Sequence, residues 1–439
     1  TAGDVNGDGY SDVVVGAYYY DNGESDEGRA YLYLGSASGL STTASWTGES
    51  DRPSANYGYS VSTAGDVNGD GYSDVVVGAI GYSNGDLYEG GAYLYLGSAS
   101  GLSTSASWIG ESNQTYGNYG VSVATAGDVN GDGYSDVVVG ANGYANGESY
   151  EGGAYLYLGS AFGLTTSASW RVESNQGGAY FGYSVSSAGD VNGDGYSDVV
   201  VGANLYDNGE NDEGRAYLYL GSAYGLSTTA SWTVESNDAG AMFGASVSSA
   251  GDVNGDGYSD VVVGANGYSA GQAYEGRAYL FLGSASGLST TSSWTGEGNQ
   301  AYAYYGLSVA NAGDINGDGY SDVAVGATYY SNGETNEGRV YLYLGSASGL
   351  STTVSWMRES DQAFAYFGFA VSRAGDVNGD GYSDVVVGAP GYDNGEMDEG
   401  SASVYLGNDG GGLAVAPRQL NASDNPVQVI GNPGSSSYK

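Results

Sequence analysis

One string, Ala-Gly-Asp-[Val/Ile]-Asn-Gly-Asp-Gly-Tyr-Ser-Asp-Val, occurs seven times, with its first Asp at positions 4, 66, 128, 190, 252, 314 and 376. Each step is 62 residues. A Glu-Gly pair keeps the same step, at Glu27, Glu89, Glu151, Glu213, Glu275, Glu337 and Glu399. A tryptophan does so at Trp46, Trp108, Trp170, Trp232, Trp294 and Trp356, with no seventh copy. Such a chain folds as a series of like units, each burying its apolar surface against its neighbours.

Within a unit the pattern is that of β-structure. Residues 57–62 read as a short strand of small and β-branched residues, and the loop Asp66–Asp74 follows. Val75-Val76-Val77 is a continuous apolar run, as in a strand covered on both faces. Residues 78–90 are turn-rich and contain Asn84-Gly85. Residues 92–96 alternate, placing Ala92, Leu94 and Leu96 on one face and Tyr93 and Tyr95 on the other. A fourth strand is expected over 102–109, carrying Trp108. No stretch has helical periodicity. The 80 glycines lack a three-residue period, so they mark turns and not a collagen helix.

Four strands per unit and seven units predict an all-β fold, a seven-bladed β-propeller of four-stranded antiparallel blades. A β-solenoid needs a shorter repeat, and separate sandwiches need larger units and linkers. The blades are expected at about 1–52, 53–114, 115–176, 177–238, 239–300, 301–362 and 363–420, followed by a tail, 421–439. The Gly/Ser/Val-rich first strand suits the crowded axis. The bulky Tyr and Trp suit outer strands, where blades splay apart.

The recurrent loop reads D-x-N-x-D-G-x-x-D. In the first copy the oxygen donors are Asp4, Asn6, Asp8 and Asp12, with the backbone carbonyl of Tyr10 between them. The set recurs as Asp66, Asn68, Asp70, Tyr72 and Asp74; as Asp128, Asn130, Asp132, Tyr134 and Asp136; and as Asp190, Asn192, Asp194, Tyr196 and Asp198. It then recurs as Asp252, Asn254, Asp256, Tyr258 and Asp260; as Asp314, Asn316, Asp318, Tyr320 and Asp322; and as Asp376, Asn378, Asp380, Tyr382 and Asp384. Ca²⁺ takes about six to eight oxygens, and alternate residues of a tight loop point them at one ion. About seven Ca²⁺ are therefore expected, one per blade. Zinc would want His or Cys, and the chain has neither. An EF-hand would need Glu where Val15 stands, and helices where Val13-Val14-Val15 follows. Dockerin-type and thrombospondin-type loops do not repeat every 62 residues. An ion-free Asx-turn cluster is the bland reading, but it leaves three carboxylates repelling within nine residues.

The units resemble FG-GAP repeats, the blades of the integrin α-subunit propeller and of many bacterial surface proteins. The FG element stands as Tyr57-Gly58, Tyr119-Gly120, Phe181-Gly182, Phe243-Gly244, Tyr305-Gly306 and Phe367-Gly368; the GAP element is complete only at Gly388-Ala389-Pro390. The resemblance spans about residues 1–420. It implies calcium loops in hairpins on one propeller face and recognition of partners through exposed loops. Integrin propellers carry such loops in only some blades, so seven matches favour a bacterial-type surface or secreted protein.

Charge narrows the partners. With 51 acidic and 10 basic residues the net charge is −41, which repels nucleic acid and anionic lipid. No 18-residue apolar run exists to cross a membrane as a helix. Without His or Cys, neither a His-dependent triad nor a thiol nucleophile can form, and no unique cluster breaks the repeat, so no enzyme is expected. The expected function is an extracellular, calcium-binding recognition or scaffold module with a protein or glycan ligand. A filament subunit and a lectin-like carbohydrate binder are the alternatives. Glu27 and its repeats read as turn-stabilising carboxylates or, second, as ligand contacts. The Tyr ladder (Tyr31, Tyr33, Tyr93, Tyr95 and onward) reads as interblade filling or, second, as a sugar platform.

The chain opens at Thr1 in mid-motif without Met or a signal peptide, as a processed product or fragment would. The first unit accordingly lacks its FG strand. One extra residue in 407–413 would place Ile430-Gly431 where Phe-Gly is due, so part of 426–436 is expected to close the ring. Alternatively the tail pairs with a neighbouring subunit or leads to a further domain.

Overall fold

The computed structural model describes residues 1–395, 398–410, 412–414 and 417–420. They form seven antiparallel sheets in which strands adjacent in sequence are adjacent in space, and no helix occurs among them. Six sheets have four strands and the first has three. The second blade is representative. Its strands run from the axis outward as Tyr57–Gly65, Asp74–Ala79, Gly91–Tyr95 and Trp108–Glu111. The inner strands surround a narrow axial cavity of about 150 Å³ lined by small residues such as Val61, Ser62, Val123 and Ala124. The chain is a seven-bladed β-propeller with a repeat of 62 residues.

Both faces of each blade are buried, which explains the continuous apolar second strand: Asp74–Ala79 is buried at every position. The alternation of the third strand sorts its side chains between neighbours. Tyr93 and Tyr95 pack with Leu32, Trp46 and Tyr57 towards the first blade, whereas Ala92 and Leu94 pack with Tyr119, Val137 and Tyr155 towards the third. The Tyr ladder therefore fills the space between blades. The FG aromatic acts as a wedge: Tyr57, Tyr119, Phe181, Phe243 and Tyr305 are wholly enclosed although they stand on inner strands. Edge-to-face pairs complete each interface, such as Trp108 on Tyr157 with centroids 4.6 Å apart. Such a pair contributes about 0.5–1.5 kcal/mol beyond area burial.

The outer strand is shorter than expected. It begins at Trp108, and residues 102–107 form a hydroxyl-rich turn instead. There the Ser103 hydroxyl accepts from Leu96 N–H (3.1 Å) and donates to the Ser105 carbonyl (3.1 Å). Serine bonds of this kind compete with a strand ladder.

In the first blade, strands Val13–Ala17, Arg29–Tyr33 and Trp46–Glu49 are present, and residues 1–3 hold the end of the inner-strand position through a Gly3–Asp12 bridge. Val14 and Val15 consequently line the axial cavity. In the seventh blade the outer strand is Arg418–Leu420. Arg418 pairs with Val404 in the register that Trp108 keeps with Leu94. The one-residue offset is thus absorbed before this strand. The ring-closing segment expected in 426–436, including Ile430-Gly431, lies outside the described residues.

Candidate metal centres

Strands one and two are joined at one rim of the ring, where strands three and four also turn. The other two connections share the far rim. The D-x-N-x-D loops therefore all lie on one face. In the second blade the loop leaves the inner strand at Gly65 and enters the second strand at Asp74. Its curl requires left-handed backbone at Gly69 and Gly71 (φ +73° and +90°), which glycine adopts without penalty.

The loop is wound around its first carboxylate. Asp66 Oδ1 accepts the N–H groups of Gly69 (2.7 Å) and Asp70 (3.1 Å), and Oδ2 accepts that of Gly71 (2.8 Å). Asn68 Nδ2 donates to Asp70 Oδ2 (2.9 Å), and Tyr72 N–H donates to Asp70 Oδ1 (3.1 Å). Asp74 is fully buried, and its two oxygens accept Val67 N–H (2.9 Å) and Gly97 N–H (2.8 Å). It ties the loop to the neighbouring hairpin. The same bonds recur in the first loop, around Asp4 and Asp12.

Burial pushes the Asp74 carboxyl up to about 7; the Gly97 and Val67 N–H groups oppose the shift, and the charges of Asp70 and Asp66 add to it. Asp136, Asp198, Asp260 and Asp322 also stand at about 7, and Asp12 and Asp384 at about 6, for the same reasons. Such a carboxylate is under electrostatic stress that a nearby dication relieves. The donor set is all hard oxygen, from Asp, Asn and Asp within one turn and a third carboxylate, Asp74, that feels the charge of the other two. It fits Ca²⁺ and offers nothing to a soft metal.

The loops are also linked to one another. Ser73 N–H donates to the Asp4 carbonyl of the preceding blade (2.9 Å), and the bond recurs around the ring until Ser11 N–H meets the Asp376 carbonyl (2.9 Å). The Tyr72 ring lies against Gly7 of the preceding loop. Sequence reasoning missed the serine, although it stands in all seven copies. Its contribution is a backbone N–H, which residue type does not announce.

The Glu-Gly glutamates lie on the far face. Glu89 accepts Asn84 N–H across its hairpin, and Glu275 accepts Ala270 N–H (3.0 Å) and Gly271 N–H (2.9 Å), so these carboxylates brace the turn. The arginines near them pair elsewhere: Arg29, Arg215, Arg277 and Arg339 each bind the outer-strand Glu49, Glu235, Glu297 and Glu359. Five tryptophans each donate a bond of 2.8–3.1 Å into the next blade, among them Trp46 Nε1 to the Ser103 carbonyl (2.9 Å) and Trp108 Nε1 to that of Thr165 (3.1 Å). In the seventh blade Arg418 donates instead, to the Ser38 carbonyl (2.7 Å).

Comparison with known proteins agrees with this architecture. The FG-GAP repeat model matches residues 181–219, 243–281, 305–343 and 367–406, and an FG-GAP-like repeat model matches 4–77 and 66–139. Among curated relatives, integrin alpha-5 of Xenopus laevis is 28% identical over 272 residues, 60% of this chain and 24% of that protein. Integrin alpha-V of Gallus gallus is 35% identical over 227 residues, 49% of this chain and 20% of that protein. A phosphatidylinositol-glycan-specific phospholipase D of Bos taurus is 36% identical over 202 residues, 42% of this chain and 24% of that protein. The matched region thus spans a quarter or less of each relative's length. On its repeats, its seven-bladed ring and these matches, the chain belongs to the FG-GAP repeat family, with an integrin-alpha-like propeller.

Proposed function

We propose that this propeller is an extracellular recognition or scaffold module whose blades are each stabilised by one Ca²⁺. The observation that carries the reading is the sevenfold loop of hard oxygen donors around a stressed, buried aspartate. The ligands are the side chains of Asp4, Asn6, Asp8 and Asp12 and the carbonyl of Tyr10, with their counterparts in the other six loops. Bound calcium supplies positive charge. The chain itself presets the loop through Asp4, links it to the next hairpin through Asp12, and joins it to the adjacent blade through Ser73. Its role is binding and not catalysis. An extracellular setting follows from affinity, because such loops fill at millimolar calcium and empty at cytosolic levels. Melts in calcium and in excess chelator test the reading: the midpoint should drop on chelation, and an unchanged midpoint would refute it.

A lectin-like function is a second reading, favoured by one observation. Tyrosines stack in pairs on the far face, exposed Tyr88 with exposed Tyr116 (5.8 Å between centroids) and exposed Tyr150 with half-buried Tyr180 (5.6 Å). Tyr88, Tyr116, Tyr150 and Tyr180 all stand in left-handed backbone, a strain commonly held at ligand-contacting positions. A glycan array in calcium buffer separates the two, since multivalent sugar binding supports the lectin and its absence the protein-recognition module.

A further inference from the structure

The interface between the sixth and seventh blades departs from the others. The third strand of each earlier blade carries a tyrosine, Tyr31 and its repeats up to Tyr341, and the seventh carries Ser403 there. In the second to sixth blades that tyrosine packs edge-on against the FG aromatic, with centroids 5.1–5.4 Å apart. Phe367 lacks this partner, and a cavity of about 80 Å³ opens beside it, lined also by Ser403, Tyr405, Arg358 and Asp361. Arg358 is a second departure, since its position is Gly48, Gly110, Val172, Val234 and Gly296 in the preceding blades. Its side chain does not fill the space of the missing ring, because the cavity remains.

Two opposite charges line this cavity without meeting. Among the described residues the four ion pairs belong to Arg29, Arg215, Arg277 and Arg339, and none involves Arg358 or Asp361. Glu359, also in the wall, is already bound by Arg339 and by Asn332 Nδ2 (3.1 Å). Burial pushes the Tyr405 hydroxyl up to about 12; Arg358 opposes that shift and Asp361 adds to it, so both charges act on this one hydroxyl. A plain anion would approach against a net charge of −41, whereas a zwitterion brings no net charge. At about 10–15 Å³ per water position, the cavity takes about five to eight atoms, the size of glycine, alanine or serine.

We propose that this cavity is a binding site for a small α-amino acid, with the ligand's carboxylate on Arg358 and its ammonium group on Asp361. A guanidinium takes a carboxylate through two parallel N–H donors. The hydroxyls of Ser403 and Tyr405 serve the ligand's remaining polar atoms, and Phe367 gives its short side chain an apolar wall. The site belongs to this interface and is independent of the seven loops.

The test is equilibrium dialysis of labelled L-alanine against the parent in calcium buffer, with glycine, L-serine, acetate and ethylamine as competitors. Saturable uptake of one alanine per chain is expected, displaced by glycine and serine but not by acetate or ethylamine. The Arg358→Gly/Ser403→Tyr double variant restores the residues of the first interface, Gly48 and Tyr93, and closes the cavity. It should take up no alanine and melt no lower than the parent. Asp361→Asn introduces the residue already present at Asn113, Asn175, Asn237 and Asn299, where the backbone is left-handed as at Asp361 (φ +58°). It should weaken uptake about tenfold or more through loss of a charge-assisted bond. The proposal is overturned by absence of saturable uptake in the parent, by undiminished uptake in either variant, or by acetate or ethylamine displacing alanine as well as glycine does.

Discussion

At the residue scale, the last aspartate of each loop is the most informative side chain. Asp74 is held at about 7 and its six counterparts at about 6 to 7, against an ordinary value of 3.8. The sign of the consequence follows from proton linkage. Between roughly pH 4 and 7 the folded apo form holds protons that the unfolded chain has lost, so apo stability falls as pH rises through that window. Calcium needs the ionised form, so the holo protein should behave oppositely. Melts from pH 7.5 to 5 should give a rising midpoint in chelator and a falling one at limiting calcium; parallel curves would exclude these aspartates as the titrating ligands. Glycine gives a second test. A Cβ on Gly140 would be driven into the Gly182 carbonyl of the next blade. Gly140→Ala should therefore cost at least about 1–3 kcal/mol, measured by denaturant unfolding, although glycine-to-alanine exchange in a strand is otherwise favourable.

At the scale of elements, the blade is legible in sequence because period-two alternation and the apolar valine run have direct physical meanings. The outer strand was less so, because the serines at 103 and 107 bind backbone where a strand pattern alone would extend the ladder. The interface between blades rests on tryptophan in two separable ways. Trp108→Phe keeps an aromatic ring and loses the bond to Thr165, and should cost about 1 kcal/mol. Trp108→Ala also empties the space beside Tyr157 and should cost about 3–5 kcal/mol. Equal costs for the two, measured by denaturant unfolding, would mean that the ring contributes no packing.

At the scale of the whole molecule, charge and calcium act together. Seven bound dications would bring the net charge from −41 to −27. At site affinities on the order of 10 µM, millimolar calcium contributes roughly 2.7 kcal/mol per site. The loops are chained from blade to blade by Ser N–H to Asp carbonyl bonds, so loss of one ion should weaken the ring and not one blade alone. Asp190→Ala should remove one calcium per chain and lower stability by about 3 kcal/mol in a single transition; a separate early transition would show that blades melt independently. Raising salt should stabilise the apo protein more than the holo protein, because it screens the larger self-repulsion.

The repeat length, the strand count, the propeller and the oxygen-rich loop were all determined by the sequence alone, since each depends on spacing and residue type. Tertiary structure decided what depends on which blade meets which. It showed Ser73 and its repeats joining consecutive loops, Tyr93 and Leu94 facing opposite neighbours, Arg29 bound to Glu49 instead of Glu27, and Glu27 left with a buried free oxygen. These are contacts between residues far apart in the chain or through backbone atoms, and no local pattern encodes them. Two side chains of one type at one spacing differ only in what the folded ring places beside them.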